Sequence, residues 1–329
     1  MSKYTLQVKP HSEIDPRTWD QFIEASPQGG PFAWYDFAKA IRPDWQALIV
    51  SDKSGWQAVM PFCLNKKMGF TYLPQPAFSQ YWGIYFAPWE GLSVYRSFSQ
   101  KRDLIQAMLP FFEDVDLFIN NFSPAFDYPL PFHWAEFELK TRYTYRLYLG
   151  WTLEEHRQMI EPSLRRQIKK TERRGYRWVS VDQPTHLAAL YDAQKETGKD
   201  LEIHEPERKE SLKRLSKMLI RQKRGEIGHI VDESGKVLAA GLFAYYRQTT
   251  YYLAGTFNPE SPDSGAMSRL LWEGIQRAME KNHQIFDFEG SMIKGVEHFF
   301  RKFGAHPVPY LQIHKNQLPL PVRWINGLR

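Results

Sequence analysis

TTYYLAGTFNPESPDSGAMSRLLWEGIQRAMEKNHQIFDFEGSMIKGVEHFFRKFG, residues 249–304, sets the fold class of this chain. Thr249–Thr256 is β-branched, aromatic and small, the composition of a buried strand. Asn258–Gly265 holds two prolines and a glycine and reads as a turn. Ser264 is placed to cap a helix over Gly265–Asn282, whose Leu270, Leu271, Gly274, Ile275 and Ala278 form one apolar face. Ile285–Glu289 reads as a second strand, and Gly290–Gly304 closes the unit with a short aromatic and basic helix. Strand, helix and strand joined by short loops leave the helix N-terminus open beside the sheet, where anionic groups of a ligand can be held.

The rest of the chain alternates in the same way. Helices are expected over Pro16–Ala25, Phe32–Ile41, Gln100–Phe112, Thr185–Lys199 and Glu207–Arg224. Strands are expected at Tyr4–Val8, Leu117–Asn121, Tyr143–Leu149, Arg177–Val181 and Val308–His314, with hairpins over Ala47–Leu64 and Gly228–Tyr246. This mixed order gives an α/β class with mixed sheets. At 329 residues the chain is long enough for two domains, divided here as 1–149 and 150–329.

Charge is uneven. Residues 1–148 are nearly neutral, with 14 Lys/Arg against 15 Asp/Glu, whereas 149–329 carry 29 against 22. Most of that excess lies in Ser163–Arg177, which has seven basic residues and one acid, Glu172. Arg165, Lys169, Arg173 and Arg177 recur every fourth residue, with Arg166, Lys170 and Arg174 as the neighbouring row, so the cations share one helical side. Leu164, Ile168 and Thr171 face elsewhere and dock the helix. Like charges at this spacing repel, so the helix is either a solvated face or a seat for an anionic partner.

Composition excludes several classes. With 43% hydrophobic and 15% aromatic residues the chain is no disordered segment. Cys63 is the only cysteine, so there is no internal disulfide, and its apolar setting in Ala58–Leu64 reads as an inert buried thiol. No apolar run reaches the ~20 residues of a membrane helix and the N-terminus lacks a signal region, so a cytoplasmic protein without a membrane span is expected. There is no metal-ligand spacing, no nucleophile elbow and no phosphate loop of the G-x-x-x-x-G-K type.

In order and spacing, these segments resemble the FemABX-like branch of the GNAT acyltransferases. Phe286-Asp287-Phe288-Glu289-Gly290 and Phe299-Phe300-Arg301-Lys302-Phe303-Gly304 resemble that branch's closing strand and phenylalanine-rich helix. Thr141–Gly150 and Ser163–Gly175 resemble the strand and basic helix that open its second domain, and Phe32–Ala40 and Ala58–Phe62 resemble parts of the first. The resemblance implies two tandem GNAT-like domains, each a mixed central sheet flanked by helices, with the active cleft in the second. It implies transfer of an acyl or aminoacyl group to an amine or hydroxyl, from acyl-CoA or aminoacyl-tRNA, without a metal. Two departures stand out. Asp263-Ser264-Gly265-Ala266 replaces the glycine-rich Q/R-x-x-G-x-G/A loop, and Phe300 stands where many members carry a lysine.

Acyl transfer needs a group to take a proton, donors to polarise the carbonyl, and alignment of the two reactants. Alternation with Phe286 and Phe288 sets Asp287 and Glu289 on one strand face as candidate bases. Tyr251 and Tyr252 lie on opposite faces of the preceding strand, and the resemblance implies a tyrosine acid, for which Tyr252 is the candidate. Arg165, Lys169, Arg173, Gly265, Lys294 and Arg301 are the candidates for binding an anionic donor or acceptor. The competing reading is a non-catalytic module that binds a polyanion, such as tRNA or another nucleic acid, through the basic helix on a degenerate GNAT fold.

Overall fold

The computed structural model describes residues 3–196, 208–260, 264–290 and 292–325. The expected helix Thr185–Lys199 and the expected turn Asn258–Gly265 extend beyond these residues, as do Glu207 and the end of the tail.

The chain forms two compact units. One comprises residues 1–142 with 309–329; the other is Tyr143–Val308. The expected division after residue 149 differs from this. Tyr143–Tyr148 belongs to the second unit, where Arg146–Tyr148 pairs with Ile285–Asp287, and the last strand largely joins the first unit.

The first unit begins with β1 (Thr5–Pro10), α1 (Pro16–Ala25), α2 (Tyr35–Ile41), β2 (Gln46–Asp52), β3 (Gly55–Phe62), β4 (Asn65–Lys67), β5 (Phe70–Leu73), β6 (Tyr85–Phe86), α3 (Val94–Met108), β7 (Leu117–Asn121) and α4 (Leu130–Trp134). β1, β2, β3 and β6 form an antiparallel sheet, while β5 runs parallel to β7. The short hairpin β4–β5 is absent from the sequence expectation because Asn-Lys-Lys has no strand propensity of its own. The core of this unit is phenylalanine-rich: Phe112 and Phe122 pack edge to face on Phe132, and Phe118 on Phe137, with Phe62 in the same cluster. Cys63 is buried, and Trp82, fully buried, donates its indole N–H to the Phe32 carbonyl.

Chain order continues with β8 (Glu138–Tyr148), α5 (Leu153–Met159), α6 (Pro162–Arg173), β9 (Arg177–Val181), α7 (Thr185–Glu196), α8 (Arg208–Arg221), β10 (Gly225–Val231), β11 (Val237–Tyr246), β12 (Thr249–Phe257), α9 (Ser264–Glu280), β13 (Ile285–Asp287), α10 (Lys294–Arg301), β14 (His306–Asn316) and α11 (Leu320–Ile325). In the second unit the strand order is β8-β13-β12-β11-β10-β9. All neighbours are antiparallel except β12 and β13. Helices α6 and α9 pack together over Leu164, Ile168, Leu270, Leu271 and Ile275, with Phe243 and Phe286 beneath them. Helix α7 lies on β11 and β12, where Thr256 donates to the Leu190 carbonyl.

The basic helix α6 begins at Pro162, two residues before a cap at Ser163 would allow. Glu161 is the cap: its carboxylate accepts from the Ser163 and Leu164 amides at 2.9 and 3.1 Å, with Pro162 in the first turn. The Ser163 hydroxyl, which also donates to this carboxylate, and then the amides lower the Glu161 pKa to about 2. Leu164, Ile168 and Thr171 are buried, as the spacing requires. Gly290 is the tightest backbone position near the sheet end. Its φ is +64°, and a Cβ there would lie 2.3 Å from the Tyr143 carbonyl oxygen. Gly290→Ala is expected to lower unfolding free energy by about 2–4 kcal/mol, from left-handed strain plus backbone displacement. Denaturant titration of the variant against the parent checks this.

Candidate functional site

The pairing of β12 with β13 is short. It covers Thr249, Thr250 and Tyr251 against Ile285, Phe286 and Asp287, after which β12 continues to Phe257 without β13 beside it. Its register on β11 also slips here: Leu242 faces Ala254 while Phe243 faces Tyr252, leaving Leu253 as a bulge. Two parallel strands thus part at a bulge, with the start of α9, including buried Gly265, following in the chain. Parted strands expose edge amides and carbonyls that an extended ligand can pair with.

Asp287 ends β13 and is fully buried. Arg146, its partner across β8, donates from Nε to Oδ2 at 2.8 Å, and buried Thr144 donates its hydroxyl to Oδ1 at 2.5 Å. The Glu289 amide also donates to Oδ1, at 2.9 Å. This last bond is an Asx turn, and it ends the strand at Asp287 rather than at Glu289 as the alternation predicts. Glu289 adopts φ +58° and leads into left-handed Gly290. The two carboxyl groups are neighbours through a turn, not through strand alternation.

Their settings differ. Asp287 is tied by a cation, a hydroxyl and an amide. The Glu289 carboxyl is enclosed, with Oε1 out of reach of solvent although the residue as a whole is half-buried. Burial, and then the charge of Asp287, push its pKa well above the usual glutamate range. Tyr251, opposite Asp287 in register, is buried and its hydroxyl is likewise pushed upward, first by burial and then by Asp287.

The other sheet face is aromatic. Phe286 and Phe288 pack with ring centroids 4.8 Å apart, Phe288 lies 4.9 Å from Phe300 of α10, and Tyr252 lies 5.6 Å from Phe243. Tyr252 therefore stands on the side away from Asp287, its hydroxyl closely packed on Gly255. Tyr251 is the tyrosine that meets the carboxylates. Arg146 and Thr144 were not among the expected site residues. The signal was there: in Thr144-Tyr145-Arg146-Leu147, polar residues alternate with apolar ones on a strand whose other face is core.

The remaining candidates are dispersed. Gly265 is buried at the start of α9. Arg165 is half-buried at the flank of α6 and donates to the Gln158 carbonyl at 3.4 Å, while Lys169 and Arg173 are exposed. Lys294 is exposed at the start of α10, and Arg301 at its end pairs with Glu297 at 3.0 Å. Among the described residues no group of His, Cys, Asp and Glu could hold a metal ion, and no helix is long and apolar enough to cross a membrane.

Removing the Asp287 carboxylate breaks its ion pair with Arg146 and frees the turn. Asp287→Ala is expected to destabilise by about 3–5 kcal/mol, measured by denaturant unfolding. Glu289 gives a pH signature. Its pKa in the fold lies above the ordinary 4.5, so the native state binds the proton more tightly than the unfolded chain. Its contribution is whole below 4.5 and is lost as pH rises through the folded value. Glu289→Gln is expected to match the parent at acid pH and to exceed its melting temperature at neutral and alkaline pH.

Residues 160–301 match the family model described as an acetyltransferase (GNAT) domain. Solved structures are similar over nearly the whole chain. FemX is 12% identical at a TM-score of 0.66, over 98% of this chain and 99% of that one. The structure of L-PGS from Bacillus licheniformis is 13% identical at 0.58, over 96% of each chain. A tandem GNAT protein from the clavulanic acid biosynthesis pathway is 11% identical at 0.56, over 96% and 99%. No curated protein sequence matches. The expected α/β fold with mixed sheets is the fold of this chain, and it is shared with FemX, L-PGS and a tandem GNAT protein.

Proposed function

We propose that this chain, with the fold of the FemABX-like GNAT acyltransferases, transfers an acyl or aminoacyl group to an amine or hydroxyl. The observation that carries the reading is the enclosed Glu289 carboxyl beside the Arg146–Asp287 pair, where β12 and β13 part. A carboxyl whose pKa is raised above the usual glutamate range is a stronger base than a solvated one, and can take a proton from an attacking amine and return it to the leaving group. Asp287 is already occupied by three donors and acts as the positioning residue: it holds the Glu289 amide and faces Tyr251. The edge of β12 beyond Tyr251 supplies backbone donors for the acyl arm. The start of α9 at Gly265 supplies amides and the positive end of a 17-residue helix for an anionic part of the donor.

Acyl-CoA and aminoacyl-tRNA both present an activated acyl carbon next to phosphate, so either fits this reading as donor. With a neutral amine attacking, the C–N bond forms, the tetrahedral oxyanion collapses, and the C–S or C–O bond to the donor breaks. The proton lost by the amine passes through Glu289 to the departing thiolate or ribose oxygen.

Calorimetric titration with acetyl-CoA, and filter binding of aminoacyl-tRNA, identify the donor; mass spectrometry of an amine panel then reports transfer. Glu289→Gln is expected to retain donor binding and to lower kcat by about 10²–10⁴-fold. Absence of binding to both donor classes, or unchanged turnover in Glu289→Gln, would overturn the reading.

A further inference from the structure

Helix α6 packs on α9 through Leu164, Ile168 and Thr171, and Gln167 accepts from the Ser268 hydroxyl at 2.8 Å. Arg166, Lys169, Lys170 and Arg173 occupy the opposite side and are exposed. Among the described residues these four carry no ion pair. The helix's one acid does not neutralise them: Glu172 accepts from Arg157 of α5 at 2.7 and 2.8 Å and from Arg269 of α9 at 2.9 Å. The exposed charged side chains of α6 are thus all cationic.

Helix α5 flanks α6. The Arg157–Glu172 pair ties the two together, and Arg165 donates to the Gln158 carbonyl. On and just before α5 the chain exposes large apolar side chains within a dozen residues: Tyr148 (49%), Trp151 (52%), Leu153 (37%) and Met159 (43%). Single exposed apolar residues are ordinary, but a run of them beside an unpaired cationic face marks an interaction surface.

We propose that the α5–α6 surface docks the protein onto an anionic lipid bilayer. Arg166, Lys169, Lys170 and Arg173 lie over the head groups, and Trp151, Leu153 and Met159 enter the interfacial layer. Charge complementarity supplies the attraction, which falls off within a Debye length of the surface. The apolar side chains supply the part that salt does not screen, and tryptophan is at home at such an interface. Cations alone would suit RNA equally. Leu153 and Met159 separate the two partners: single-stranded nucleic acid stacks its bases on rings, whereas lipid accepts aliphatic chains as readily as aromatic ones. The inference stands apart from the proposed chemistry, since none of these side chains touches the Asp287–Glu289 cluster.

The test is co-sedimentation of the full-length protein with vesicles of phosphatidylcholine, with and without phosphatidylglycerol, across a salt series. Binding to the phosphatidylglycerol vesicles alone, weakened but not abolished by salt, is expected. Combining Arg166→Ala, Lys169→Ala, Lys170→Ala and Arg173→Ala is expected to weaken it by roughly a hundredfold or more. Combining Trp151→Ser, Leu153→Ser and Met159→Ser, with every cation kept, is expected to weaken it by roughly tenfold or more. Bulk tRNA serves as the competing probe, and the apolar variant should leave tRNA binding unmoved. The parent protein failing to bind anionic vesicles, binding tRNA but not vesicles, or binding vesicles equally well in the apolar variant would each overturn the proposal.

Discussion

The buried Arg146–Asp287 pair organises the second unit. A carboxylate with no solvent exposure is tolerated only where donors replace water, and here a guanidinium, a hydroxyl and an amide do so. Each donor comes from a different structural need. Arg146 and Thr144 lock β8 to β13 in register, and the amide of Glu289 stops β13 after three residues. Stopping β13 there is what leaves the remainder of β12 without its parallel neighbour. The opening in the sheet is a consequence of one satisfied carboxylate, whose charge adds to the burial that raises the pKa of Glu289.

The two faces of the sheet then divide the work. Phe243, Tyr252, Phe286, Phe288 and Phe300 form a stiff aromatic layer under α9 and α10. Tyr251, Asp287, Thr144 and Arg146 lie on the opposite side, where polar groups satisfy one another. A close-packed aromatic layer resists displacement, so it holds the strand end that carries the carboxyl groups in one geometry. The close contacts of Gly274 with Phe243 and of Gly255 with Tyr252 show how little slack that layer has.

The basic helix shows a different economy. Only one of its expected binding row, Arg165, turns inward toward α5; Lys169 and Arg173 join Arg166 and Lys170 outside. Glu172 is spent on Arg157 and Arg269, which fastens α6 between α5 and α9 and leaves the outer cations uncompensated. Concentrated like charge raises the free energy of the helix, and a partner of opposite charge lowers it.

Much of this was legible in the chain itself. Helical spacing of Leu164, Ile168 and Thr171 identified the buried side of α6, and the order strand, turn, helix, strand in residues 249–304 identified the fold class, because burial periodicity is a local property. Glycine at 290 and the acids at 287 and 289 were visible as special positions. Which tyrosine meets those acids was not. Tyr251 and Tyr252 are equivalent in composition, and only the register of β12 on β13 sets Tyr251 opposite Asp287 and turns Tyr252 into the aromatic core. Nor could the chain show that Asp287 would be neutralised by Arg146, 141 residues earlier. Pairing across strands is fixed by tertiary register, and it was tertiary structure that made one carboxylate a support and left the other enclosed, with its pKa raised.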